Sequence, residues 1–170
     1  MSNMEMDLER LAGLISDIQF TMLTTVSDDG SIHSRPMATQ KLDEKNFDGT
    51  LWFFSKKTSH KNHCIEKDQH VNLAYANPSK QRYVSVSGRA NIVEDRSKMQ
   101  ELWTPTLKAW FPEGLMDPEI SLISVKIESA EIWDSPSSKM VQMVGMVKSA
   151  VTGKPLSQNA TKSQHIEIRH

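Results

Sequence analysis

A single cysteine, Cys64, in 170 residues leaves no internal disulfide to be made, and the chain opens without a signal-peptide pattern. Both features point to a reducing, cytoplasmic setting. No apolar run approaches the roughly 20 residues of a membrane span, so no membrane partner is expected. Neither sign of charge dominates. With 20 basic and 21 acidic residues the net charge is −1, which excludes a nucleic-acid surface built on bulk positive charge. Also missing are the Gly-x-Ser-x-Gly elbow, the phosphate-loop signature and the glycine fingerprint of dinucleotide folds. No repeat, low-complexity stretch or linker divides the chain. What remains is one soluble domain, long enough to bury roughly 70% of its unfolded surface without a metal or a disulfide. Its expected ligand is a small molecule.

Residues 4–18 carry Leu8, Leu11, Leu14 and Ile15 at helical steps, and then the period changes. Phe20–Val26 is β-branched and apolar, residues 27–30 (Ser-Asp-Asp-Gly) form a turn, and residues 31–39 run on as the second strand of a hairpin. Residues 50–55 make a third strand after a polar loop. A short helix is expected over 59–67, a strand over 71–76, and a turn at Asn77-Pro78. Residues 83–87 alternate, and Gly88 permits a bulge before strand resumes over 89–93. Helices are expected over 95–103, 104–110 and 138–150, and strands over 120–127 and 130–133. The domain is placed at residues 1–150. Residues 151–170 read as a polar tail in which only Ile166 and Ile168 hint at a strand. Six or seven mostly antiparallel strands with inserted helices make a mainly β protein, a closed or nearly closed β-barrel, because closure removes exposed sheet edges.

The stretch Thr-Leu-Trp-Phe-Phe-Ser-Lys-Lys-Thr-Ser-His-Lys, residues 50–61, is the most informative. An aromatic strand ends at Ser55, and Ser59, His60 and Lys61 open a polar helix. Hydroxyls, a cation and helix-start N–H groups all favour an anion there. Taken alone, a Ser before a charged helix reads first as a plain N-cap. Arg35, on the preceding strand, adds a second cation to the anion reading. His60 and Cys64 share an i, i+4 face with His63 nearby, but two ligands beside Lys61 are too few for a metal, and none is expected.

The order Ser34-Arg35-Pro36-Met37, Leu51-Trp52-Phe53-Phe54-Ser55, Ser59-His60-Lys61, Tyr83-Val84-Ser85-Val86-Ser87-Gly88 and Glu131-Ile132-Trp133-Asp134 resembles the FMN-binding split β-barrel family. That family includes pyridoxamine phosphate oxidase, and the chain is most similar to its short general-stress-protein branch, over residues 8–147. The resemblance implies a homodimer holding FMN at the subunit interface. It also implies flavin-dependent oxidoreductase chemistry with NADH or NADPH as donor and a stress-related role. A non-catalytic flavin-binding or flavin-storing protein is the alternative, and a heme or deazaflavin binder a more distant one.

The resemblance also implies site residues. Arg35 and Lys61 would hold the FMN phosphate with Ser59. The strand from Met37 to Thr39 would lie along the isoalloxazine edge, and Phe54 with Ser55 would line it. His60 stands where the family has arginine. Trp133 matches a tryptophan that reaches the flavin from the partner subunit, or else is a core residue. Lys139 falls where the oxidase has a phosphate- or substrate-directed arginine, or is a solvated lysine. The oxidase's next charged positions are Met140, Val141, Gln142 and Met143 here, so turnover of pyridoxine phosphate is not expected. No catalytic residue is assigned.

Overall fold

The computed structural model describes residues 3–134 and 162–168. Helix α1 (Asn3–Ile15) buries Leu8, Leu11, Ala12 and Ile15, the face its periodicity foretells. It stops at Ile15, short of residue 18. Single turn bonds, Ser16 N–H to Ala12 and Ile18 N–H to Ile15, swing Ile18 into the core instead.

Seven strands follow: β1 (Phe20–Val26), β2 (Ile32–Ala38), β3 (Thr50–Lys56), β4 (His70–Asn77), β5 (Arg82–Val93), β6 (Ile120–Asp134) and β7 (Lys162–Glu167). All described pairings are antiparallel, in the order β2-β1-β4-β5-β6-β3, with β7 on the distal half of β6. The sheet curls until its two end strands meet, where Gln40 N–H donates to Trp52 O at 3.0 Å. This is the mainly β split barrel that the resemblance implies. Helix α2 (His60–Lys67) covers one end, and α3 (Arg96–Leu102) with a 3-10 turn over Pro105–Ala109 packs outside β3.

Other sequence expectations also change, and the helix expected over 104–110 is the 3-10 turn Pro105–Ala109. The two strands expected at 120–127 and 130–133 are one strand, β6, because a bulge opposite Ser87 and Gly88 takes up a residue without ending the ladder. The tail contains a paired strand, β7, where Ile166 and Ile168 are buried on alternate positions while their neighbours face outward. A short 3-10 turn, Glu44–Asn46, interrupts the loop before β3, its N–H groups capped by Asp43. The helix expected over 138–150 lies outside the described residues.

The main core is the barrel interior, where Leu23, Leu51, Phe53, Leu73, Val86 and Val125 have no exposed surface. Each such large side chain contributes about 1.5–3 kcal/mol by its removal from water. A second, smaller cluster sits outside β3: Phe54, Met99, Leu107, Phe111, Ile120 and Leu122. It fixes the 105–111 segment beside the barrel's open seam.

Candidate functional site

Beyond the contact between Gln40 and Trp52, the edges of β2 and β3 separate. A cleft of about 320 Å³ lies between them, lined by Arg35, Pro36, Met37 and Ala38 on one side and Phe54, Ser55 and Lys56 on the other. Strand alternation decides what the β2 edge offers. Thr39 N–H donates inward to Gln19 O at 3.1 Å, so Met37 and Arg35, two and four residues back, also bond toward β1. The edge groups facing the cleft are therefore those of Pro36 and Ala38. Pro36 has no N–H to leave unpaired, which suits it to an edge position.

Arg35 and Lys61 form the polar end with Ser59. The Arg35 Nη1 donates to Leu23 O (3.2 Å) and Thr25 Oγ1 (2.8 Å), which aim the guanidinium along the barrel wall. Lys61 Nζ donates to Ser59 Oγ at 3.0 Å. Among the described residues no carboxylate lies within ion-pair distance of either cation, whereas the nearby Lys57 pairs with Glu94. The electrostatic cost is visible. Burial first, and the Arg35 charge second, hold the Lys61 ammonium below its ordinary pKa. Burial lowers Arg35 as well, offset in part by the neighbouring Cys64 sulfur. Two partly buried, mutually repelling cations with no counter-ion make a site for an anion.

That arrangement has a pH consequence. Folding lowers the Lys61 pKa, so between the lowered value and the ordinary 10.5 the unfolded chain binds more protons. Stability of the ligand-free protein should rise with pH across that window and fall as pH drops through the folded value. A bound anion restores the Lys61 pKa and removes the slope. Thermal melts from neutral pH up to 10.5, with and without an anionic ligand, check this. An unaltered slope in Lys61→Met would remove Lys61 as its source.

Ser59 occupies the N-cap position of α2 but makes no capping hydrogen bond. Its hydroxyl donates instead to Asn62 Oδ1 at 3.0 Å, and the Ser55 hydroxyl donates to the same oxygen at 2.6 Å. Asn62 Nδ2 donates to Ser121 Oγ at 3.1 Å, and Ser121 Oγ donates back to Ser55 O at 3.0 Å. Ser55, Asn62 and Ser121 are all buried. Ser59 is thus held by Asn62 rather than by the helix N–H groups.

The opposite wall is apolar. Leu107 and Phe111 are buried, and Phe54 meets Trp103 edge-on at 5.9 Å and Phe111 at 6.3 Å. Trp110, 56% exposed, stands at the mouth, as does Phe20, 51% exposed, on the β1 side. Sequence reasoning missed Leu107, Trp110, Phe111, Phe20 and Asn62. The aromatic pair Trp110-Phe111 just after a proline-started turn was the one signal that pointed to the wall.

Of the residues expected at the site, Arg35, Met37, Phe54, Ser55, Ser59 and Lys61 line this cleft. Thr39 does not. Its hydroxyl pairs with Tyr75 Oη at 2.9 Å, on the inner side of the barrel. His60 also points elsewhere, edge-on to His33 at 6.2 Å and 3.6 Å from Cys64 Sγ. Trp133 is on neither the core clusters nor the cleft of its own chain. It pairs across strands with Tyr83 on the outer face of the sheet. Lys139 lies outside the described residues. Among these residues no group of three metal-ligating side chains converges, and no helix is long and apolar enough to cross a membrane.

The chain's relatives share this architecture. Residues 6–157 match the family model described as pyridoxamine 5'-phosphate oxidase like. Protein bli-3 of Neurospora crassa is 29% identical over 165 residues, covering 92% of this chain and 78% of that protein. The general stress FMN/FAD binding protein of Xanthomonas citri is 26% identical, covers 77% of this chain and 90% of its own, and superposes with a TM-score of 0.67. A Clostridium acetobutylicum protein related to general stress protein 26, of the pyridoxinephosphate oxidase family, shares the fold at 17% identity. It covers 96% of both chains with a TM-score of 0.69.

Proposed function

The chain belongs to the pyridoxamine 5'-phosphate oxidase-like family, and from that premise we propose that it is a homodimeric FMN-binding oxidoreductase. The observation that carries the proposal is the pair of carboxylate-free cations, Arg35 and Lys61, gathered with Ser59 at one end of a cleft walled on one side by Phe54, Leu107 and Phe111. A flavin mononucleotide has this division of character, a phosphate monoester joined to a large planar ring. A monoester carries about −1.5 to −2 charges at neutral pH, enough to neutralise both cations. The Xanthomonas relative, described as binding FMN or FAD, supports a flavin.

Arg35, Lys61 and Ser59 would hold the phosphate. The Ala38 N–H and the carbonyls of Pro36 and Ala38 would meet polar groups on the ring edge, and Met37, Phe54 and Leu107 would exclude water from it. When bound, the flavin supplies electron or hydride transfer, with NADH or NADPH as the proposed donor and a small acceptor or oxygen as the sink. Pyridoxine phosphate is a poor substrate on this reading. Met140, Val141, Gln142 and Met143 offer no charge for a second phosphate.

The homodimer is supported by the outer face of the sheet. Pro36, Met22 and Ala74 lie side by side across β2, β1 and β4, and Ala76, Tyr83 and Trp133 across β4, β5 and β6. Phe20, Met22 and Tyr83 are each more than two-fifths exposed, and none of these positions is charged. Such a face suits a subunit contact. Phe20 and Pro36 belong to both this face and the cleft wall, so a second subunit seated there would complete the cleft and bring in its own Trp133. Met22→Lys should therefore give monomers by light scattering and weaken FMN at least about tenfold, since a lone charge at an apolar contact is costly to desolvate. A dimer that survives the substitution would place the interface elsewhere.

The function is tested by the spectrum of the purified protein and by titration. FMN should bind better than riboflavin, and anaerobic NADH or NADPH should bleach the bound chromophore. Tight FMN binding with no bleaching by either nucleotide would make the protein a flavin carrier. Equal affinity for FMN and riboflavin would remove the phosphate assignment.

A further inference from the structure

Asn62 contributes no surface to the cleft, yet its carboxamide receives the hydroxyl protons of both Ser55 and Ser59, at 2.6 and 3.0 Å. Its own amide is anchored by Ser121 on β6 at 3.1 Å, and Ser121 in turn ties to the backbone of Ser55 at 3.0 Å. All of this is dry. Asn62 is 1% exposed and Ser121 wholly buried. A carboxamide in the first turn of a helix usually faces water, because burial without partners costs roughly 1–3 kcal/mol. Here two of its three partners, Ser55 and Ser59, line the cleft, and the third, Ser121, lies behind it on β6.

On the reading that the cleft holds a phosphate, we infer that Asn62 is the positioning residue of that site, presetting Ser59 and Lys61 for the anion. With Ser59 turned toward Asn62, the hydroxyl oxygen shows its lone pairs to Lys61, which stays at 3.0 Å. An arriving phosphate would accept hydrogen bonds from the Lys61 ammonium and from the Ser59 hydroxyl, which turns from Asn62 and keeps its proton. Ser55 remains bonded to Asn62, so the carboxamide keeps a partner throughout. A neutral carboxamide is also the group this position needs. A carboxylate there would act as a built-in counter-ion two hydrogen bonds from Lys61 and compete with the ligand.

Two variants test this, read by titrating the flavin-free protein with FMN and with riboflavin beside a melting curve. Asn62→Asp should weaken FMN by at least about tenfold while riboflavin changes less than about twofold, because the ring contacts are untouched. Ser121→Ala, which reaches the site only through Asn62 and the Ser55 carbonyl, should reduce the preference for FMN in the same direction by a smaller factor. Loss of both flavins in parallel, or lowered melting with the native preference for FMN, would reduce Asn62 to a packing role and overturn the inference. If Asn62→Asp does not fold, an unchanged FMN preference in Ser121→Ala overturns it alone. A native protein that holds FMN and riboflavin equally fails at the phosphate reading itself, before either variant is made.

Discussion

Arg35→Ala is expected to weaken FMN by roughly 2–3 kcal/mol, a factor on the order of thirty to more than one hundred, and to leave riboflavin nearly unaffected. The guanidinium can present two parallel donors to a phosphate, so its loss removes more than one charge-assisted bond. Lys61→Ala should cost about 1.5–3 kcal/mol by the same reasoning, a factor of roughly ten to somewhat more than one hundred. The double variant should lose at least the sum of the two, because removing either cation relieves the repulsion on the other and blunts the single losses. Stability should move the other way. In the ligand-free protein each cation is partly desolvated without a carboxylate, so Lys61→Met should melt at a higher temperature than the native chain when no flavin is present. Isothermal titration with the two flavins and calorimetry of the flavin-free protein read both effects. A parallel loss of FMN and riboflavin in Arg35→Ala would mean that Arg35 shapes the cleft rather than binding phosphate.

Gly88→Ala is expected to be the most damaging single change to the fold. A Cβ at position 88 would stand 2.3 Å from Lys126 O and 3.1 Å from its carbonyl carbon, both backbone atoms of β6. No side-chain rotation relieves that contact. It falls where the register of β5 against β6 shifts, so relief requires the two central strands of the sheet to part. The expected destabilisation is about 3 kcal/mol or more, the upper range for overpacking, and would appear as a large drop in the denaturation midpoint or as insoluble protein. Gly30→Ala offers the contrast. Its φ of +81° disfavours a side chain, yet nothing lies within 4 Å of the added Cβ. The cost there should be roughly 1 kcal/mol. A Gly88→Ala protein as stable as Gly30→Ala would refute the close approach.

Much of the barrel is legible along the chain because its strands are half-buried and alternate. β5 inserts Val84 and Val86 into the interior while Tyr83, Ser85 and Ser87 face outward, a period-two pattern visible in the residues. The anion cluster is legible for a related reason. Ser59 and Lys61 are two residues apart, and Arg35 sits on the strand that must neighbour theirs once the sheet curls. His60 reads as part of the cluster only while the chain is a line. Successive helical positions turn by about 100°, so the residue between Ser59 and Lys61 faces β2 and His33 rather than the cleft.

Asn62 and the 105–111 wall could not be read in the same way. Asn62 is polar and lies among His60, Lys61 and His63, so its sequence neighbours suggest a solvated face. Its burial is decided by Ser121, which lies 59 positions along the chain and arrives only when β3 and β6 pair. Leu107 and Phe111 are likewise placed by Phe54, a residue of another strand. β7 is mostly polar, and its pairing depends on the free edge that β6 offers beyond the end of β3.

The sequence by itself determined the mainly β class, the hairpins, the absence of a disulfide framework and the identity of the two cations and the hydroxyl at the polar end of the cleft. These follow from local periodicity, turn chemistry and charge, which need only near neighbours. Tertiary structure decided where the seam opens, which edge groups of β2 face it, which aromatic segment walls it and that Asn62 is buried beneath it. Those outcomes depend on strands paired across long stretches of chain, where a side chain's surroundings come from residues that the linear order keeps far apart.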